Sequence, residues 1–290
     1  MKLALAPLGA AAATSVLGAC ASDDGDLGAE HDDFQQVASP DAGPRVVPGA
    51  RDAGTSPIVT ADAGDLATLP WAQGGTKSMK GGYPDPFGGA GAGSMCTLYP
   101  AMTLGPCYAQ GPVSREDITD GLPGLPVRLS FLVVRATGGC APVANAEVDI
   151  WHTSAAGVYS TFASGICNPN RAAQPTGATA KYMRGTRVTD ASGRADFSTV
   201  FPGHYPGRSI HIHFTVRVGG RAFQTSQLFF DDSLSDEIML LKDYTGRGRR
   251  NTTNATDNIL RSVDLKTVVA SYTKRADGAL HAWKVLAIRS

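Results

Sequence analysis

The chain has 290 residues, and its 26 basic and 26 acidic side chains cancel to a net charge of zero. This balance does not favour a nucleic acid or a strongly acidic macromolecule as a partner. The charge is unevenly distributed, because residues 21–95 carry 11 acidic and 4 basic side chains, whereas residues 96–290 carry 15 and 21. The second region is long enough for one hydrophobic core. Its mild basic excess most often means a solvated surface, and it would also suit small anionic substrates.

The first twenty residues, MKLALAPLGAAAATSVLGAC, have the pattern of an export signal. Lys2 precedes an apolar stretch, and small residues precede Cys20. The apolar stretch is too short to serve as a membrane-spanning helix. Its Leu-Gly-Ala-Cys end resembles the lipobox of bacterial lipoproteins, whose cysteine is acylated. We expect residues 1–20 to be a lipoprotein-type signal peptide. The protein would then be exported and anchored through Cys20 to the periplasmic or cell-surface side of a membrane. An ordinary cleaved secretory signal is the alternative.

Residues 21–95 are rich in alanine, glycine, aspartate and proline, and their apolar residues follow no period. Such a segment buries too little apolar surface to offset the entropy lost on ordering. We predict a disordered linker that tethers a folded domain to the membrane. Within it, LATLPWAQ (66–73) could dock onto the domain, at a place that the sequence does not indicate.

Four cysteines follow Cys20, and an even number in an exported protein predicts two disulfides. There is no CxxC motif, so neither a zinc knuckle nor a thioredoxin-type site is indicated. Three pairings are open to four cysteines. We favour Cys96–Cys107, across a short loop, together with Cys140–Cys167.

From residue 96 onward the sequence consists of short β-branched and aromatic runs bounded by glycine, proline or aspartate. The predicted strands are 127–135, 146–151, 194–201, 209–218 and 221–230. Gly219-Gly220 predicts a tight hairpin, Asp277-Gly278 predicts a type I′ turn, and DNILRSV (257–263) fits one helical turn. Because no long run has a helical period, we expect residues 96–290 to form an all-β domain, a mostly antiparallel β-sandwich.

The run SIHIHFTVRV (209–218) places two histidines at alternate positions. Alternate residues of a strand share a face, so the isoleucines face the core, while His211 and His213 face the other side and could hold one metal ion. A cupin or a 2-His-1-carboxylate iron(II) site would add an acid, but residues 214–230 contain no Asp or Glu. A zinc hydrolase would add an acid or a third histidine, for which His152 and His204 are available.

A nearer oxygen donor is Tyr205, in the glycine- and proline-rich loop just before the histidines. A phenol has a pKa of ~10, so a tyrosinate ligand needs a strong Lewis acid to stay ionised at neutral pH. Ferric iron is such a Lewis acid. A tyrosine-and-histidine ligand set therefore points to Fe(III).

Three longer stretches occur in the order that one enzyme family shows. They are AEVDIWHTSAAGVYS (146–160), RGTRVTDASGRADFSTVFPGHYPGRSIHIHFTV (184–216) and TSQLFF (225–230). Together they resemble the intradiol ring-cleavage dioxygenases, which include protocatechuate 3,4-dioxygenase, catechol 1,2-dioxygenase and hydroxyquinol 1,2-dioxygenase. The resemblance covers residues 96–290 and implies a β-sandwich whose long loops carry one non-haem Fe(III) ion. The implied ligands are Tyr159, Tyr205, His211 and His213.

The resemblance also implies roles for neighbouring residues. Tyr205 would leave the metal and take a proton from the substrate, and Arg208 would offset negative charge that develops on the ring. Gln227 matches a glutamine beside the substrate. A strict two-residue turn at Gly219-Gly220 would pair Ile212 with Gln227 and direct Gln227 to the core. Gln227 can face the iron only if the hairpin contains one extra residue, such as a β-bulge at a glycine.

The implied activity is cleavage of a catechol-type ring between its two hydroxylated carbons, with both atoms of O2 incorporated and a muconate-type diacid as product. An exported β-sandwich module that binds phenolic ligands without turnover is the alternative. Ser154, His204 and Cys107 depart from the family pattern and would reshape the pocket. The helical dimerisation region of the catechol 1,2-dioxygenases has no counterpart. Both the oligomeric state and the catechol remain open.

Overall fold

The computed structural model describes residues 70–88, 96–111, 113–162, 165–169 and 179–289. The predicted signal peptide, including Cys20, and residues 21–69 of the predicted linker lie outside them. None of the helices in the described ranges is long and apolar enough to cross a membrane. The elements in these ranges are, in chain order, β1 (Pro126–Arg135), β2 (Glu147–Trp151), β3 (Arg184–Val188), β4 (Arg194–Val200), β5 (His211–Val218), β6 (Arg221–Phe229), α1 (Asp232–Ile238), α2 (Leu265–Val268), β7 (Ser271–Lys274) and β8 (Leu280–Ile288).

The strands form a sandwich of two four-stranded sheets, with the orders β4-β1-β8-β7 and β3-β2-β5-β6. All neighbouring strands are antiparallel except β1 and β8, which run parallel. The all-β sandwich that the strand pattern predicted is confirmed. We refer to the sheet that contains β5 as the site sheet and to the other as the support sheet.

Alternating apolar side chains of the two sheets form one core. The support sheet contributes Val127, Leu129, Phe131 and Phe197, and the site sheet contributes Val148, Ile150, Ile212, Phe214 and Val216, all fully buried. These positions are the ones that a period of two directs inward. The remaining positions of β5, His211 and His213 among them, therefore lie on the outer face of the site sheet.

The predicted disulfide pairing is wrong. The structure joins Cys96 to Cys140 and Cys107 to Cys167, with Cα–Cα distances of 5.4 and 5.6 Å. The pairing follows from which loops the sandwich brings together rather than from proximity along the chain. The loops that the disulfides close span 44 and 60 residues, and closing each of them removes about 4 kcal/mol of unfolded-state entropy in a chain-entropy account.

Residues 70–88, which the sequence analysis assigned to the linker, pack against the domain. Trp71, 9% exposed, donates a hydrogen bond from Nε1 to Glu237 of α1 at 2.6 Å. The ammonium of Lys274 lies 4.2 Å from the Trp71 ring centroid, within cation–π range. Further along, Phe87 packs on the outer face of the support sheet. The folded domain therefore includes this segment, and the described part of LATLPWAQ, residues 70–73, docks through its tryptophan.

The two predicted turns have different outcomes. Gly219 and Gly220 form the tight β5–β6 hairpin with φ of 57° and 79°, and Val218 pairs with Arg221 as predicted. Between β7 and β8, by contrast, only Gly278 has a positive φ, and Lys274 pairs with Leu280 across a five-residue connection. The hairpin is confirmed, but the type I′ turn is wrong, because that turn requires positive φ at both central residues.

Candidate active site

Four side chains converge on the outer face of the site sheet. The Nε2 atom of His211 lies 3.1 Å from Nε2 of His213, 3.2 Å from the phenol oxygen of Tyr205 and 3.5 Å from that of Tyr159. None of these residues is more than 8% exposed. The structure thus brings together the four residues that the resemblance implied. Their role as iron ligands remains a prediction.

The two tyrosines come from loops that touch backbone to backbone. Tyr159 lies in the connection that follows β2, and Tyr205 lies in the β4–β5 connection. A Cβ added at Gly203 would lie 2.1 Å from the carbonyl oxygen of Ala155, so only glycine allows this approach. As a result the two phenol rings meet edge to face, with centroids 5.7 Å apart.

The tautomer of His211 follows from its backbone contact. Its Nδ1 donates to the carbonyl oxygen of Ser209 at 2.6 Å, so a neutral ring carries its lone pair on Nε2, the atom on which the other three side chains converge. The backbone N–H of Ser209 in turn donates to Asp257 at 2.8 Å. The carboxylate of Asp257 thereby holds the residue whose carbonyl group orients the His211 ring.

His213 is held by packing rather than by hydrogen bonds to its Nδ1. Its ring stacks on Trp151, with centroids 5.0 Å apart and an interplanar angle of 8°. On another side it meets the loop at Gly105, where an added Cβ would lie 2.9 Å from His213 Cε1. Within the described residues, Nδ1 of His213 has no hydrogen-bond partner. The ring orientation therefore depends on the tryptophan face and on the glycine.

Burial keeps all four side chains neutral in the absence of a cation. It lowers the pKa of His211 well below its usual range and that of His213 to about 3, and the positive charge of Arg208 adds to both effects. Burial likewise raises the pKa of Tyr159 and of Tyr205, although Arg208 partly opposes the rise at Tyr205. Neutral imidazoles with free lone pairs are the protonation state that a metal ion requires.

The polar atoms of this cluster compete for one acceptor. An imidazole Nε2 has a single lone pair, yet two phenols and a second imidazole converge on that of His211. Donor atoms that share one first-row metal ion at ~2.1 Å lie about 3 to 3.5 Å apart, which is the spacing seen here. The arrangement fits a single cation with two phenolate and two imidazole ligands, and phenolate favours Fe(III) over softer metals.

The other two candidate metal ligands in the sequence, His152 and His204, lie away from the convergence point. His152 is fully buried, and its two ring nitrogens contact Thr153 and Thr199 at 2.8 and 2.9 Å. His204 contacts the carbonyl oxygen of Gly248 at 3.1 Å through Nε2. No group of three or more His, Cys, Asp or Glu side chains that could hold a metal ion occurs among the described residues.

Arg208 links the site to the surrounding loops. Its Nε donates to both carboxylate oxygens of Asp257, at 3.0 and 3.2 Å, and one terminal nitrogen donates to Oε1 of Gln227 at 2.5 Å. The Asp257 side chain is fully buried and that of Arg208 is 17% exposed. A buried carboxylate on one side and an amide on the other hold the guanidinium close enough to oppose part of the rise that burial causes in the pKa of Tyr205.

Gln227 lies on the same face as the histidines because β6 contains a bulge. Val218 pairs with Arg221 and Arg217 with Ala222, but Val216 pairs with Gln224, so Phe223 is the extra residue. Beyond the bulge Gln227 pairs with His213 instead of Ile212. The extra residue that the sequence analysis required is present, although within the strand rather than at a glycine.

Two residues that shape the site could not be assigned to it from the sequence. Asp257 caps a 3-10 turn at Asn258–Leu260, and its position as the first residue of DNILRSV was a capping signal without a visible link to Arg208. Arg184, at the start of β3, is 5% exposed and donates to Ser160 and to the carbonyl of Cys107. Its burial depends on loops that no local pattern reveals.

The three departures from the family pattern have defined places. Cys107 is disulfide-bonded and packs with Trp151 and both tyrosines. Ser154 is fully buried, and its backbone holds the turn that leads to Tyr159 by pairing with Val158. His204 directly precedes Tyr205 but contacts Gly248, away from the convergence point. Of the three side chains, only that of Cys107 belongs to the apolar cluster around the tyrosines.

Comparisons with known proteins agree with this geometry. A model of the Dioxygenase family matches residues 100–263, more than half of the chain. Chlorocatechol 1,2-dioxygenase of Pseudomonas sp. (strain P51) is 31% identical over 121 residues, which cover 34% of this chain and 43% of that enzyme. The chain thus spans less than half of this curated relative.

A solved structure gives the broader match. The intradiol ring-cleavage dioxygenase from Tetranychus urticae superposes with a TM-score of 0.59 and 29% identity, over 67% of this chain and 94% of that one. The resemblance seen in the sequence motifs is therefore confirmed: the chain belongs to the dioxygenase family, and within it to the intradiol ring-cleavage dioxygenases.

Proposed function

We propose that this protein is a non-haem Fe(III) dioxygenase that cleaves a catechol-type ring between its two hydroxylated carbons, consumes O2 and releases a muconate-type diacid. The observation that carries the proposal is the convergence of two phenols and a second imidazole on Nε2 of His211. A protein that only bound phenolic ligands would have no use for two buried phenols directed at one lone pair.

The residues that would hold the iron are Tyr159, Tyr205, His211 and His213. Bound there, Fe(III) supplies a Lewis acid that favours the doubly deprotonated form of a chelated catechol. The protein supplies a buried site in which the ligand rings are already oriented, because Ser209 fixes His211 and Trp151 fixes His213.

Tyr205 is the residue placed to take a proton from the substrate. It is the most exposed of the four, at 8%, and its phenol oxygen is near the guanidinium of Arg208, which favours its charged form. A tyrosinate Oη could accept the catechol proton. Arg208, held between Asp257 and Gln227, would offset negative charge on the ring.

The proposal includes export with a lipid anchor at Cys20. The sequence pattern of residues 1–20 supports it, and so do the two disulfides, since disulfides persist in oxidising compartments. The substrate would then be a catechol met outside the cytoplasm.

The visible absorption spectrum of the purified full-length chain, with its iron quantified, tests the proposal. We expect a coloured tyrosinate-to-Fe(III) charge-transfer band that shifts when catechol is added without O2. On aeration, one O2 should be consumed per ring cleaved. A protein that stays colourless after iron reconstitution would overturn the proposal. Catechol binding without O2 uptake would favour the binding module.

A further inference from the structure

Tyr159 lies in a long loop, yet its phenol oxygen is directed at the ring nitrogen of His211 on a strand. We propose that the Cys107–Cys167 disulfide and the buried Arg184 act together as a clasp that positions Tyr159 for metal binding. The inference rests on the proposed function, because it treats Tyr159 as an iron ligand. It adds positioning residues to that site.

The disulfide acts on Tyr159 through the backbone. The N–H of Tyr159 donates to the carbonyl oxygen of Cys167 at 2.9 Å, so the half-cystine residue itself holds the tyrosine peptide. Cys167 is joined to Cys107, and both half-cystines pack with Tyr159, Tyr205 and Trp151 in one apolar cluster. The covalent bond therefore fixes the strand-like contact on which the position of Tyr159 depends.

Arg184 holds the same two segments from the inside. Its Nε donates to Oγ of Ser160 at 2.8 Å, and one terminal nitrogen donates both to the carbonyl of Ser160 at 3.0 Å and to that of Cys107 at 2.8 Å. One guanidinium thus connects the residue after Tyr159 to the half-cystine Cys107. Within the described residues no carboxylate lies within ion-pair distance of Arg184, so its contacts are directed at these loops.

The other end of the clasp reaches His213 and Gln227. The loop before Cys107 passes over His213 at Gly105, and the carbonyl of Thr103 accepts a hydrogen bond from Nε2 of Gln227 at 3.1 Å. The disulfide consequently joins the loop over His213 to the segment that holds Tyr159. Opening the disulfide would release both sides of the site together.

The second disulfide provides a matched control. Cys96–Cys140 closes a loop of similar length, 44 against 60 residues. Cys140, however, packs with Phe87, Leu132 and Val134 on the support sheet. Removing the Cys96–Cys140 disulfide should lower the free energy of unfolding by a comparable amount without removing a contact to the site.

The test compares four full-length proteins in the metal-free state: the wild type, Cys107→Ala/Cys167→Ala, Cys96→Ala/Cys140→Ala and Arg184→Lys. Hydrogen exchange of the segment 157–162 is measured first, and Fe(III) affinity is then measured by competition with a chelator. Lysine keeps the charge but lacks the planar fork that donates to several acceptors at once. Near-ultraviolet circular dichroism establishes that each variant is folded.

We expect Cys107→Ala/Cys167→Ala and Arg184→Lys to exchange faster in 157–162 and to bind Fe(III) about tenfold to a hundredfold more weakly, as loss of outer contacts to metal ligands commonly does. The Cys96→Ala/Cys140→Ala control should match the wild type in both. Equal effects of the two disulfide variants, or unchanged exchange in the clasp variants, would overturn the inference. If the Cys107→Ala/Cys167→Ala variant does not fold, Arg184→Lys decides by the same readouts.

The two proposals fail in different ways. A wild type that binds no iron overturns the proposed function, while exchange in the metal-free proteins still decides whether the clasp holds Tyr159. A wild type that binds iron with its charge-transfer band, beside clasp variants with the same affinity and the same exchange, overturns the clasp alone.

Discussion

Gln227 lies directly opposite His213 in the β5–β6 ladder, and this pairing exists because Phe223 is bulged out of β6. A bulge of one residue exchanges the faces of every position that follows. Gln227 is thereby placed on the outer face, where it accepts from Arg208 and donates to the carbonyl of Thr103. Gln224, nearer the bulge, instead pairs with Val216, whose side chain faces the core.

Replacing Gln227 by leucine should lower kcat/KM by about tenfold or more. Arg208 and the Thr103 carbonyl would each lose a buried hydrogen-bond partner, and each unsatisfied group costs about 1–3 kcal/mol of free energy. Steady-state O2 uptake measures the effect. Gln224→Leu is the matched control. The Nε2 atom of Gln224 is buried without a partner among the described residues, so this change should be neutral or stabilising. Equal losses in the two variants would show that Gln227 has no special role.

Tyr205→Phe should leave iron bound through the remaining residues but reduce kcat by about a hundredfold or more, the usual contribution of a positioned general base. Metal content and turnover are measured on the same sample. Tyr182→Phe is the control, because its buried hydroxyl has no partner in the described structure. Unchanged turnover in Tyr205→Phe would remove the base role.

Asp257→Asn should destabilise the protein by about 3 kcal/mol, because it breaks a buried ion pair. It should also lower kcat/KM, since Asp257 orients Arg208 directly and His211 through Ser209. Denaturant unfolding and O2 uptake are the two measurements. Asp236→Asn breaks an ion pair whose carboxylate side chain is 66% exposed and should cost less than about 1 kcal/mol. A stable, fully active Asp257→Asn protein would contradict the positioning role.

Acid should destabilise the metal-free protein through its buried histidines. Burial lowers the pKa of His152 from 6.5 to about 4 in the folded state, so the unfolded chain takes up the proton first as the pH falls. The stability contributed by the neutral ring is therefore complete above pH 6.5 and is lost between 6.5 and 4, by about 3 kcal/mol. Urea unfolding at several pH values should show a shallower slope for His152→Asn. Parallel slopes would contradict the assignment.

The face that carries the histidines could be predicted from the sequence because a period of two is a local property. Ile212, Phe214 and Val216 indicate the core side of β5 without knowledge of any other strand. The register of Gln227 could be reduced to a single condition, an extra residue in the hairpin. The location of that extra residue, Phe223, could not be predicted, because a bulge is selected by packing across two strands.

Features that depend on contacts distant in sequence were not predictable in this way. Cys107 bonds to Cys167 rather than to its near neighbour Cys96, since the sandwich brings those loops together. Trp71 is buried only because α1 and β7 supply Glu237 and Lys274. Composition alone therefore assigned a packed segment to the linker.

The docked segment also fixes the side on which the chain enters the described domain. The chain enters the described domain at Pro70, and the next residues lie against Gly278, in the hairpin that joins β7 to β8 of the support sheet. The convergence point is on the outer face of the opposite sheet. The point at which the chain enters the described domain and the convergence point therefore belong to opposite sheets of the sandwich.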